Sequence, residues 1–247
     1  MSFIELHNVS KKYRVKKPLI YKKLEVLSNI SFSIKDGESV ALLGPSGSGK
    51  TTISKIILGL ESPDSGKVIF QSNRKKLCSV IFQNYNSSIN PYYKVYEALD
   101  EVTNESNNKF DIVYLLRNVG LNSTFLERKC STLSGGEIQR VCIARAIASG
   151  AKFIIFDEAF RSLDLVQIYQ ILEMLKKIQI QYKLTYFVIT HEIKIACYLC
   201  NRWIFIRNGQ LEGDLAINEL KNSNLSSINE LKKFMFKINE IKSVFSI

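Results

Sequence analysis

Two apolar patterns alternate along the chain. FIELHNV (3–9) and VLSNISFSI (26–34) place apolar and polar residues in turn, the period of a half-buried strand. SVALL (39–43), KFIIF (152–156) and TYFVIT (185–190) are nearly unbroken apolar runs, as expected of strands covered on both faces of a parallel sheet. KVIF (67–70) and SVIF (79–82) read as shorter strands, and Asp36-Gly37 as a turn. Helical spacing predicts helices over 50–59, ending near Gly59, over Ser134 to Ser149, and over 164–181. RWIFIRNGQLEG (202–213) predicts a hairpin turned at Asn208-Gly209. Strands alternating with helices imply an α/β core with a mainly parallel sheet.

From Asn84 to about Thr132 the β-branched runs fade and Asn, Ser and Glu become common. EALDEV and FDIVYLLRNVG fit amphipathic helices, so an inserted helical subdomain is expected, which the helix at 134–149 extends to about 84–150. Residues 11–23 carry seven Lys or Arg and one Pro and read as an exposed loop. The final segment, 226–247, has apolar residues at Ile228, Leu231, Phe234, Met235, Ile238 and Ile241, the spacing of an amphipathic helix. It packs on its own domain by default; a partner or membrane face is the alternative.

Composition narrows the class. A length of 247 residues suits one large domain or a core with an insert, and the net charge of +11 suits nucleic acid, an anionic membrane face or an anionic small ligand. The five cysteines are irregularly spaced and odd in number, which fits a reducing compartment. Cys197-x-x-Cys200 has no second pair nearby and reads as two thiols on a half-buried helix rather than a zinc site. MSFIELHNVS lacks the apolar core of a secretory signal, and no run of about 18–20 apolar residues occurs, so no bilayer span is expected.

The chemistry begins after SVALL. Gly44-Pro45-Ser46-Gly47-Ser48-Gly49-Lys50-Thr51-Thr52 fits G-x-x-x-x-G-K-[ST], with a buried strand before it and a helix after it. Glycines let successive backbone N–H groups turn toward phosphate oxygens, and the helix presents its N-terminus to the same anion. Lys50 supplies positive charge for the β- and γ-phosphates, and Thr51 a hydroxyl for Mg²⁺. FIIFDE (153–158) delivers Asp157 and Glu158 to the C-terminal end of a buried strand, where open α/β sheets bind ligands. There Asp157 would hold Mg²⁺ and Glu158 would act as general base. A chance glycine-rich loop, and an acidic pair that merely opens a helix, are the plainer readings of each motif alone.

LSGGEIQR (133–140) resembles the signature motif of the ATP-binding cassette (ABC) ATPases, with Leu-Ser-Gly-Gly intact and lying between the helical insert and the Asp-Glu strand. The resemblance covers residues 3 to about 213 and carries further expectations in the right order. Tyr13 matches the aromatic that stacks on adenine, although an ordinary exposed tyrosine reads equally well. Gln83 matches the glutamine that senses Mg²⁺ and the attacking water. SLD (162–164) is similar to the loop that crosses the dimer interface, and His191 to the switch histidine on the γ-phosphate. Ser134, Gly135 and Gly136 would complete the site of a partner subunit. Glu192 and Arg161 depart from the family pattern, which usually has Asp and a small residue or Asn there.

The resemblance implies the ABC ATPase fold: a P-loop core with a mainly parallel sheet, an N-terminal antiparallel β subdomain and an inserted helical subdomain. The nucleotide-binding domain would span 1–225, with 226–247 as a tail. ATP and Mg²⁺ are the implied cofactors. SSINP (87–91), LSGGEIQRVCIARAIA and DEAFRSLDLVQ are similar to the peptide/nickel uptake group, above all to the second ATPase of nickel and metallophore importers. Oligopeptide import is the alternative, and an exporter ATPase a more distant one. The implied partners are a second ATPase of a different chain, two transmembrane permeases and an extracellular solute-binding protein, with no nucleic acid. The implied place is the cytoplasmic face of the membrane, held peripherally.

Overall fold

The computed structural model describes residues 1–17, 20–71, 77–84, 88–105, 110–161 and 163–219. The proposed tail at 226–247 lies outside them, as do Ser87 and Ser162 of the motifs above. The chain divides into two compact units, one formed by Met1–Ile4, Ile34–Glu38 and Phe70–Ile189, the other by Glu5–Ser33, Ser39–Ile69 and Thr190–Ile247.

In the first unit β5 (Cys78–Phe82), β6 (Phe153–Asp157) and β7 (Thr185–Ile189) run parallel, with β6 in the middle. Every residue of β6 and β7 is buried, the outcome that their unbroken apolar runs predict. Their faces carry an aromatic cluster: Phe153 stacks on Phe3 at 5.2 Å, and Phe156 meets Phe160 at 5.5 Å and the edge of Tyr186 at 5.3 Å. Tyr186 is wholly buried, and its hydroxyl donates to the Leu175 carbonyl at 3.0 Å, which satisfies its one polar atom. Among the described residues between β5 and β6 come α2 (Val95–Glu105), α3 (Ile112–Asn118), two 3₁₀ turns and α4 (Gly135–Ala148). The long helix α5 (Leu165–Tyr182) leads into β7 and buries Ile168, Ile171, Leu172, Leu175 and Ile178, the i, i+3, i+4 set of its sequence.

In the second unit β3 (Ser39–Leu43) pairs in parallel with β8 (Arg202–Arg207), and β8 pairs antiparallel with β9 (Gln210–Ala216). The predicted hairpin turns at Asn208 and Gly209, whose φ values of 50° and 74° are those of a two-residue primed turn. Arg202 grips Asp214 with two hydrogen bonds of 2.6 Å and donates to the Ser33 carbonyl at 2.9 Å. Helix α1 (Lys50–Leu58) follows β3, and Gly59 closes it in the left-handed conformation. Helix α6 (Ile193–Leu199) carries Cys197, while Cys200 is its C-cap and is buried, which pushes its thiol pKa up.

The expected N-terminal β sheet is present, but its first two strands run further than the sequence predicts. β1 (Ser2–Lys17), β2 (Ile20–Lys35) and β4 (Ser65–Phe70) form it in the order β2-β1-β4. Most of the lysine-rich stretch read as a loop is therefore strand. Strand pairing is made by backbone groups, so a run of charged side chains does not exclude it. The Lys12 ammonium sits 3.2 Å from the Glu25 carboxylate, with both side chains about half exposed.

Candidate functional site

The glycine-rich loop lies between the buried β3 and the first residue of α1. A Cβ on Gly44 would stand 2.1 Å from the Ile206 carbonyl oxygen, so the start of the loop touches the β8 backbone and admits no side chain. Gly49 has φ 104°, and a Cβ there would meet Leu27 Cδ2 at 2.5 Å. Pro45, Ser46 and Gly47 are exposed, whereas Ser48 is buried and its hydroxyl has no hydrogen-bond partner among the described residues. The Lys50 ammonium donates to the Gly44 carbonyl at 2.8 Å and to the Pro45 carbonyl at 2.9 Å, which folds it across the loop. Among the described residues no side chain caps α1 at Gly49, and the positive end of the helix meets the loop. A helix N-terminus at the loop, a cradle closed to Cβ atoms at Gly44 and Gly49 and a buried ammonium together fit a triphosphate. Thr51 is exposed and Thr52 half-buried on the first turn of α1.

The same unit holds Tyr13 and His191. Tyr13 lies on β1, and its hydroxyl donates to the Glu61 carboxylate. Desolvation first, and then that carboxylate, push the phenol pKa up; the same bond is the main cause that holds Glu61 below the ordinary carboxylate range. His191 is exposed and follows Thr190, whose N–H reaches the Leu42 carbonyl, two residues before Gly44. That register carries the histidine to the C-terminal end of β3.

The acidic pair belongs to the first unit. Asp157 is 5% exposed at the last position of β6. Glu158 has φ 52°, a left-handed conformation that a glutamate rarely adopts. Its N–H is bound to the Ile189 carbonyl at 2.9 Å and its carbonyl accepts from Arg161 N–H at 3.3 Å, so the strained backbone is fixed from both sides. Phe82 pairs with Asp157, which brings Gln83, exposed just past β5, level with Glu158.

Ser134 caps α4. Its hydroxyl accepts from Glu137 N–H at 3.4 Å, and the Glu137 carboxylate accepts from Ser134 N–H at 2.8 Å. That backbone N–H is the main cause that lowers the Glu137 pKa. Gly135 is exposed and Gly136 buried; a Cβ on Gly136 would come within 3.1 Å of Gln167 on α5. Asp164 of SLD is the N-cap of α5 and accepts from Gln167 N–H at 2.8 Å.

Sequence reasoning passed over Arg145. Its guanidinium donates to the Ala98 carbonyl on α2 at 3.1 Å and to the Ser88 carbonyl at 3.4 Å, tying the signature helix to the segment after Gln83. The signal was present: one arginine amid the apolar run VCIARAIA, a charge that needs partners wherever the helix is buried. Glu61 was also passed over, since its partner lies 48 residues away.

Comparison with known proteins agrees with this geometry. The family described as "ABC transporter" matches residues 27–161. The metal-staphylopine import system ATP-binding protein CntF of Staphylococcus aureus (strain NCTC 8325 / PS 47) is 35% identical over 241 residues, covering 92% of this chain and 97% of its own length. The nickel import ATP-binding protein NikE of Escherichia coli (strain K12) is 35% identical over 212 residues, covering 78% of this chain and 79% of its own. Among solved structures, dimeric MJ0796, a bacterial ABC transporter cassette, matches with a TM-score of 0.73 at 28% identity over 87% of this chain and 98% of that one.

Proposed function

Because this chain belongs to the ABC transporter ATP-binding family and hydrolyses ATP for transport, we propose that it energises import of nickel or a related metal–metallophore complex. The observation that carries the cargo is likeness over nearly the whole chain, 35% identity across 92% of it, to a protein named for metal-staphylopine import. NikE, named for nickel import, stands at the same level of identity over 78%.

The residues take the following roles in this reading. Lys50 and the N–H groups of Gly47, Ser48 and Gly49 bind the β- and γ-phosphates. Thr51 and Asp157 would hold Mg²⁺, which when bound would neutralise charge on the phosphate oxygens. Glu158 takes a proton from the attacking water, Gln83 orients that water, and His191 contacts the γ-phosphate. Ser134, Gly135 and Gly136 serve the nucleotide of a second ATPase subunit, a different chain. Binding of ATP closes the pair and hydrolysis releases it, and two permease subunits receive that motion at the cytoplasmic face of the membrane. Among the described residues no helix is long and apolar enough to cross a membrane, so the permeases are separate chains in this scheme.

Affinity capture of the tagged chain from its native membranes, read by mass spectrometry, tests the proposal. Two permeases, a second ATPase and a solute-binding protein that holds nickel or a metal–metallophore complex are expected. A binding protein loaded with peptide would move the cargo to oligopeptides. Permeases without a binding protein would overturn import.

A further inference from the structure

Tyr13 is held by more than its place in β1. One oxygen of the Glu61 carboxylate accepts from the Tyr13 hydroxyl, and the other lies 3.3 Å from the ammonium of Lys55, in the last turn of α1. The neighbours of Tyr13 are tied to the same loop. Lys11 Nζ donates to the Ser62 carbonyl at 2.7 Å and stands 5.6 Å from the centre of the Tyr13 ring. Lys12 N–H donates to Asp64 at 2.6 Å, and Asp64 N–H donates back to the Ser10 carbonyl at 2.9 Å. Each residue from Ser10 to Tyr13 is thus fastened to the loop Glu61–Asp64, which follows the helix that opens at the phosphate loop.

A tyrosine on a half-exposed strand has rotamers to lose when a base stacks on it, and a ring fixed beforehand loses fewer. We propose that Glu61 is a positioning residue for the nucleotide base: braced by Lys55, its carboxylate fixes the Tyr13 ring in the orientation that stacks on adenine, and joins that platform to α1. The inference rests on the reading of Tyr13 as the adenine partner. Position 61 supplies two acceptor oxygens, one for the Tyr13 hydroxyl and one for the Lys55 ammonium. Glutamine retains the first and loses the brace; alanine removes both.

The test is calorimetric binding of two probes to the full chain: ATP, and inorganic tripolyphosphate, which has no base. Tyr13→Ala is expected to weaken ATP and leave tripolyphosphate unchanged. Glu61→Ala and Tyr13→Phe are each expected to weaken ATP by about 3–10-fold, again without effect on tripolyphosphate. The double variant should bind ATP no more weakly than either single one, because both remove the same bond. Glu61→Gln, which keeps the acceptor for Tyr13 but not the Lys55 brace, should bind ATP with an affinity between those of the parent and Glu61→Ala. Equal losses for both probes would make Glu61 a merely structural residue, and additive losses or an unaltered Glu61→Ala would also overturn the proposal. If Tyr13→Ala leaves the ratio of the two affinities unchanged, the reading of Tyr13 itself fails, an outcome distinct from failure of Glu61 alone. Tyr13→Phe keeps the ring and the packing, so a Glu61→Ala chain that does not fold still leaves the proposal open to refutation.

Discussion

Lys50 and Glu158 show how differently two residues of one motif set can be read from a sequence. The position of the lysine was legible, because G-x-x-x-x-G-K-[ST] between a buried strand and a helix sets it at the first turn of that helix. Its ammonium lies among carbonyls of its own loop, and the proposed role has it turn from them to phosphate. Lys50→Ala removes a charge-assisted contact of about 1.5–3 kcal/mol, so ATP should bind roughly 10- to 150-fold more weakly in a titration. Normal ATP affinity would count against the loop assignment. Glu158 was legible as an acid at a strand end, but not as a residue held at φ 52°. Backbone strain of this kind depends on the carbonyl of Ile189, 31 positions further along the chain, and no local pattern announces it. Glu158→Gln keeps the shape and removes the base, so turnover should fall by about 10²–10⁴-fold while ATP binding persists. A variant that binds and hydrolyses ATP like the parent would remove Glu158 from that role.

At the scale of elements, apolar pattern located strands and helices well wherever burial decided them. β3, β6 and β7 are buried along their whole length, and their sequences allow little else. The pattern misled for residues 11–17 and 20–23, which are strand although no apolar period marks them. The 3₁₀ turns at Ser123–Glu127 and Cys130–Thr132 were equally silent, since they are too short for a period to show. Turn chemistry was read correctly at Asn208-Gly209 and has a measurable consequence. A Cβ on Gly209 would stand 2.3 Å from the Val26 carbonyl oxygen, at φ 74°. Gly209→Ala should destabilise the fold by more than about 1 kcal/mol in urea melts, and a neutral effect would contradict the packing of this turn. The capping box of α4 responds to pH. The Glu137 pKa is lowered in the folded chain, chiefly by Ser134 N–H, so its contribution is complete above the ordinary carboxylate range and fades as pH falls through the depressed value. The stability gap between the parent and Glu137→Gln should therefore narrow below about pH 4. A gap independent of pH would contradict the bond.

At the scale of the whole molecule, the sequence carried the family, because phosphate loop, signature and Asp-Glu strand must occur in order for the chemistry to work. It carried the cargo only through accessory likeness, since an ATPase subunit has no need to touch what is transported. The signature offers a separation of roles. Ser134→Arg should leave ATP binding intact yet prevent ATP-driven pairing of ATPase subunits, because the proposed damage falls in the partner's site; light scattering with ATP and the Glu158→Gln background reads this directly. Pairing that persists would place Ser134 outside the interface and leave it as the cap of α4 alone. The most direct measurement of the central claim is ATP-dependent uptake of radioactive nickel, free and metallophore-bound, in cells whose own copy is replaced by the parent chain or by Glu158→Gln. Uptake sustained by the parent and abolished in the variant is the predicted result. Uptake that is the same with both chains would contradict the account.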